Sequence, residues 1–366
     1  MATIEEAKRQ LDLVMTKARI TWYKPIQIAE TLYHHRTEGS FDLENLASYR
    51  IKSKKWRDDI TTLLLHQVSI SSSKYQDHIF ELTAIRPELL SSLGKANEDK
   101  ANPGVVEAYI YASFRHRREL VSDLAAYLSS ATPKSFVLQD FLAHFKEKPG
   151  LKKSIDKAYE IVVYALFDTL VHHLEATVTV KVPNSKRNLL VEFEDFTRIV
   201  LGITSENMEI IKPASLYRAG VANAADSGLD MWANFGPAIQ VKHVSLDEEL
   251  AEAIVSEVAE NARIVIVCRD AQKAVIESVL TQSGFSGRVQ GVVTEDDLKR
   301  WYGKCFSDQY RSTLGETLLK NLAKEYEQEF GSGAEIDAFM KERGYHKIEL
   351  KGIWKLPPEV EQITFC

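Results

Sequence analysis

The sequence predicts an α/β protein with a mostly helical N-terminal domain, and three observations carry that expectation. The first 150 residues repeat apolar side chains at three- and four-residue spacing. Beyond residue 175, strand-like and helix-like segments alternate, the signature of an α/β layer architecture. Residues 263–267, RIVIV, form a β-branched run without polar alternation, as expected of a strand covered on both faces.

In chain order, helices are expected at 4–19, 25–36, 54–66, 103–128 and 134–145, and KEKPG at 146–150 breaks the pattern before a helix at 151–174. ATVTVKV at 176–182 has the alternation of a strand, and Pro183-Asn184-Ser185 ends it. A helix near 188–202 follows, then a strand pair within 229–244, a helix at 247–261 and the strand 262–268. A helix at 271–283, a strand at 288–293 and helices at 295–303, 312–330 and 336–343 come next, and 347–354 is read as an edge strand. The resulting division is a helical domain at 1–150, suited to DNA recognition or dimerisation, a core at 151–310, and C-terminal helices with a tail at 311–366.

Composition narrows the class. With 45% hydrophobic and 27% charged residues among 366, the chain has the balance of a folded globular protein. No apolar run reaches the ~20 residues a membrane helix needs, and MATIEEAKRQ has no signal-peptide core, so a cytoplasmic protein is expected. Cys268, Cys305 and Cys366 form no CxxC pair and suggest neither a disulfide framework nor a thiolate zinc site. A net charge of −6 excludes a protein that coats nucleic acid by bulk positive charge, so any DNA contact must be local. No GxGxxG or GxxxxGK[ST] occurs, which removes support for nucleotide binding.

The informative segment is ADSGLDMWANFGPAIQVKHVSL at 225–246. Asn234-Phe235-Gly236 suits a three-residue hairpin loop with glycine at the left-handed position. That loop pairs Ala233 with Pro237 and sets Asp230 opposite Gln240, while period two puts Ala238, Gln240 and Lys242 on one face. Phosphodiester hydrolysis needs such a convergence. A hard divalent cation, Mg2+, would take the Asp230 carboxylate, the Gln240 amide oxygen and the Val241 carbonyl, and Lys242 would stabilise charge at the scissile phosphate. Asp226, Glu192 and Glu194 are candidates for a further carboxylate, Glu192 and Glu194 ahead of Asp226.

A carboxylate, a short hairpin and (Asp/Glu)-x-Lys make up the pattern of the PD-(D/E)xK nuclease superfamily, which this segment resembles with Gln240 in place of the usual acid. A Gln-x-Lys version occurs in the Mrr-like group. The stretches LYRAGVANAADSGLDMWANFGPAIQVKHVSL, RIVIVCRDAQK and GVVTEDDLKRWYGKC, with EEAKRQLD and YKPIQIAETLY near the start, resemble the HaeII family of type II restriction endonucleases. The resemblance implies a PD-(D/E)xK (restriction-endonuclease-like) core and a magnesium requirement. It also implies double-stranded DNA as substrate, a GC-rich palindromic site of the form RGCGCY and a symmetric homodimer. A cognate DNA methyltransferase would act with the enzyme functionally, without a stable complex. Two other readings stand beside it: a less specific Mrr-like or repair nuclease, and a catalytically inactive DNA-binding protein in which Gln240 marks a lost metal site.

Two basic clusters are candidates for phosphate contact, each weighed evenly against a solvated helix face: Lys52, Lys54, Lys55 and Arg57, and Arg115, Arg117 and Arg118. Arg218 and Asn223 have side chains suited to guanine or phosphate, and turn-forming roles fit them equally. The pairs His34-His35 and His172-His173 point to different helix faces and are read as structural. Trp232 and Phe235 are read as core or turn-packing residues.

Overall fold

The computed structural model describes residues 3–18, 22–39, 41–66, 80, 85–148, 151–219, 229–257, 263–281, 287–331 and 335–356. The chain forms two compact units: Met1–Ser130 with Gln139–Ala158 and Tyr326–Cys366, and Ala131–Leu138 with Tyr159–Glu325.

The first unit is helical. Its helices are α1 (Ile4–Lys17), α2 (Tyr23–Glu38), α3 (Arg50–Leu65), α4 (Pro87–Asn97), α5 (Val105–Ser130) and, shared with the second unit, α6 (Leu138–Glu147) and α7 (Ile155–His173). Ala7, Leu11, Ile26, Leu32, Leu64, Leu90, Val106 and Phe114 build its core, which the apolar spacing of these helices places on facing stripes. Two carboxylates are fully enclosed in it. Glu107 accepts from Arg36, Asn97 and Tyr345, and Glu30 accepts from the Tyr111 hydroxyl at 2.5 Å and from Arg343 at 3.2 Å. Each buried charge is thereby paired and hydrogen-bonded, the condition under which burial is tolerated.

The second unit is α/β. A two-stranded antiparallel ribbon joins β1 (Thr177–Lys181) to β2 (Glu209–Pro213), with the short helices α8 (Arg187–Glu192) and α9 (Glu194–Val200) between them in sequence. A mixed five-stranded sheet follows in the order β3-β4-β5-β6-β7, comprising β3 (Leu216–Arg218), β4 (Met231–Ala233), β5 (Ala238–Val241), β6 (Ile264–Cys268) and β7 (Val289–Thr294). The first three strands run as an antiparallel meander, while β5, β6 and β7 are mutually parallel. Helices α10 (Glu248–Glu257) and α11 (Lys273–Thr281) make the parallel crossovers and cover Ala238, Ile264, Ile266 and Cys268. Helix α12 (Glu295–Cys305) opens on a capping box between Thr294 and Asp297, and its Tyr302 donates to the Val162 carbonyl on α7. Helix α13 (Glu316–Phe330) is shared between the units, and α14 (Glu335–Glu342) belongs to the first.

The α/β class follows from this sheet, and the strand and helix order expected from residue 229 onward is present. One expected element is absent: residues 347–354 form no strand but coil followed by a 3-10 turn, Gly352–Trp354. Ile348 and Leu350 pack instead against the helical core, and with no neighbouring strand to bond, their alternation cannot make a ladder. The helix expected at 188–202 is broken at Phe193, whose backbone leaves the helical region. Cys268 and Cys305 are buried free thiols, and Cys366 lies outside the described residues. Among the described residues, no helix is long and apolar enough to cross a membrane.

Candidate active site

The β4–β5 hairpin has the expected geometry. The Ala233 N–H donates to the Pro237 carbonyl at 3.0 Å, and Gly236 donates to the Ala233 carbonyl at 3.1 Å. Gly236 sits at φ +123, a conformation open to glycine. Met231 pairs with Ile239 and Trp232 with Ala238, and the same register faces Asp230 with Gln240. Asn234 ties the loop down: its Oδ1 accepts from Ser215 N–H, its Nδ2 donates to the Pro213 carbonyl, and its own N–H donates to the Ser215 carbonyl.

Asp230 immediately precedes strand β4. Backbone alternation directs the N–H and carbonyl of Val241 toward β4, and with no strand residue opposite, the Val241 N–H donates to Asp230 Oδ2 at 2.7 Å. The carboxylate is thus fixed at the strand end by main chain. Gln240 is fully buried, and neither its Oε1 nor its Nε2 has a hydrogen-bond partner among the described residues. Native proteins pair almost all such atoms, so an orphaned amide beside a carboxylate asks for a partner that is not protein. Lys242, one residue past β5, is half-buried, and its N–H donates to the Val267 carbonyl. Period two sets it on the Gln240 side of the strand.

The remaining candidates are dispersed. Glu194 accepts from the Ser205 hydroxyl at 2.7 Å, and Glu192 is exposed. Among the described residues no three His, Cys, Asp or Glu side chains gather into a metal cluster, so neither glutamate completes such a group with Asp230. Asp226 and Asn223 lie outside the described residues. Arg218 is nearly buried and bonds to Glu325 at 3.1 Å.

The helix faces divide the two basic clusters. Lys52, Lys54 and Lys55 are exposed on α3, with Lys54 4.0 Å from Asp58. Arg57 is 1% exposed and donates to Asp58 and Gln27. Arg115 is half-exposed and pairs with Glu119 and Asp337. Arg117 is buried, donates to the Ala18 and Met15 carbonyls at the end of α1, and lies over the Trp22 ring. Arg118 is buried with no hydrogen-bond partner, and burial pulls its guanidinium down to about 10. Arg57, Arg117 and Arg118 therefore present no guanidinium to solvent.

Two aromatic side chains near the hairpin stand out more than the sequence suggested. Tyr217 and Trp232 stack at 4.2 Å, 42% and 48% exposed, on the sheet face that Ala238 shares with Gln240. Cross-strand register was the only available signal, and it required knowing β3. The opposite sheet face holds a cavity of about 440 Å3 lined by Phe167, Phe235, Ile239, Val265 and Trp301 among others. It has no acidic lining residue, so it does not suit phosphodiester chemistry.

Comparison with known proteins gives the class: the chain's relatives are restriction endonucleases. NgoBI from Neisseria gonorrhoeae, a type II restriction enzyme, is 48% identical over 348 residues, covering 94% of this chain and 98% of the relative. The type II restriction enzyme HaeII from Haemophilus aegyptius is 46% identical over 349 residues, covering 95% and 98% respectively. The family model described as HaeII restriction endonuclease matches residues 7–345, and the chain belongs to that family. No solved structure matches it.

Proposed function

We propose that this chain is a type II restriction endonuclease that hydrolyses double-stranded DNA with Mg2+ at the β4–β5 hairpin, within a core of PD-(D/E)xK type. The observation that carries the active-centre reading is the orphaned, fully buried amide of Gln240 in register with Asp230. A hard cation prefers oxygen ligands, and the donor set fits: the Asp230 carboxylate, Gln240 Oε1 and the Val241 carbonyl. When bound, the cation supplies positive charge to the phosphoryl group and activates water. Asp230 brings the negative charge, and its bond from Val241 N–H holds it at the strand end. The Lys242 ammonium orients the attacking water and stabilises charge that develops on the phosphate oxygens. The meander β3–β4–β5 followed by α10 and the parallel strand β6 supports the same reading, since the superfamily core runs helix, three strands, helix, strand.

Exposed Lys52, Lys54 and Lys55 give the helical unit a local basic surface for phosphates. The target is a GC-rich palindrome, RGCGCY, and a two-fold site requires a homodimer. The host's own DNA would be protected by a cognate methyltransferase acting on the same sequence, from the cytoplasm that the enzyme also occupies. Digestion of a sequenced plasmid by purified protein with Mg2+, followed by sequencing of the ends, tests this. Discrete fragments ending within RGCGCY are expected, and none with a chelator. Intact plasmid in Mg2+, or cleavage indifferent to the chelator, would overturn the reading.

A further inference from the structure

Among the described residues, the β1–β2 lobe leaves the α8–α9 segment with an exposed apolar surface. Leu189, Val191, Phe193, Phe196, Ile199 and Val200 all lie on this segment, two before the break at Phe193, one at it and three after it. They are 53%, 56%, 49%, 55%, 80% and 59% exposed. The lobe packs through other residues: between 177 and 213 the buried side chains are Leu190 and Ile203. Single exposed apolar residues are ordinary, but six on one short segment mark a contact surface.

Area and charge select the occupant. At roughly 100–120 Å2 each, the six side chains present about 600–700 Å2 of apolar surface, against the ~800 Å2 per partner, ~65% apolar, of a standard homodimer interface. The match is close without any second patch. The duplex is the poorer occupant, because residues 187–200 carry Glu192, Glu194 and Asp195 against Arg187 and Arg198 only.

We infer that α8–α9 is the self-association surface of this chain, packing on the same surface of a second copy about a two-fold axis. In such an isologous contact the same apolar residues of both copies meet. The inference rests on the reading of the enzyme as a dimer at a palindrome and names the surface that makes it one.

Sedimentation of the full-length parent, the double variant F193S/F196S and the rim variant I199K, with and without cognate duplex, tests it. Both phenylalanines are half-exposed, so circular dichroism of the double variant should match the parent. The parent should be dimeric, and the double variant should dissociate at least a hundredfold more readily, as loss of central aromatic anchors implies. I199K should weaken the dimer by a smaller factor, and it decides the matter should the double variant misfold. Variants as dimeric as the parent would overturn this surface while leaving the dimer reading intact. A parent that is monomeric both free and on cognate DNA would overturn the dimer reading itself. Variants that stay dimeric but lose DNA affinity would make this surface a DNA contact and overturn the inference.

Discussion

Replacing Gln240 by methionine should make the metal-free protein more stable and the enzyme inactive. The amide is fully enclosed and both of its polar atoms lack partners. An unsatisfied buried polar group costs about 1–3 kcal/mol, so relieving two should raise the stability of the metal-free α/β unit by about 2–6 kcal/mol. Methionine has a similar length and an unbranched chain, so little repacking strain offsets the gain. The same substitution removes an oxygen that the proposed cation site needs, and cleavage should fall on the order of a hundredfold or more. Urea unfolding in a chelator, followed by the fluorescence of Trp232 and Trp301 in the same unit, reads the first effect. Plasmid cleavage across a magnesium titration reads the second. A variant less stable than its parent would show that protein already satisfies the amide. A variant that cuts at the parental rate would move the metal away from the hairpin.

Lys242→Ala should lower the cleavage rate on the order of a hundredfold, about 3 kcal/mol of transition-state stabilisation, while duplex affinity measured in calcium stays near the parental value; parental cutting would refute the assignment. Asp230→Ala should abolish cleavage, whereas Gln240→Glu should retain some and lower the magnesium requirement; a magnesium titration showing an unchanged response in Gln240→Glu would count against the site. Affinity for cognate duplex should fall steeply with salt as phosphate contacts release counterions, and a flat salt dependence would deny them. In the helical unit, burial lifts the Glu30 carboxyl to about 7 from 4.5, with Arg343 and Tyr111 opposing the shift and Glu107 adding to it. A raised carboxyl favours the folded state at low pH, and that contribution is full below pH 4.5 and lost as pH rises through about 7. Glu30→Gln should remove this dependence, so its stability relative to the parent should improve by roughly 2–3 kcal/mol between pH 4.5 and 8 in denaturant titrations; parallel pH profiles would refute the shift.

The hairpin was legible in the sequence because its register is local: a three-residue loop with glycine at its last position leaves one phase for the flanking strands. The short strands β2 and β3 were not, since EIIKP and LYR have too few residues to show a period and become strands through their neighbours. The basic clusters misled for a different reason. Arg57 falls on the stripe Ser53, Ile60, Leu64 that α3 buries, and Arg117 on the stripe Phe114, Val121, Leu124 of α5. Helical phase outranked charge there, because a guanidinium that finds a carbonyl or an aromatic ring can be enclosed. The orphaned state of Gln240 had no sequence signal, because it depends on what fails to approach the amide in three dimensions.

The lashing of Asn234 to Ser215 and Pro213 bears on which changes this enzyme can absorb. Shifting β5 by one position would turn Ile239 and Val241 to the side that Gln240 and Lys242 now occupy, and would push the polar pair into the apolar face. Packing and chemistry therefore set the same loop length. A one-residue insertion between 234 and 237 is a lesion that would be felt in stability as well as in cutting.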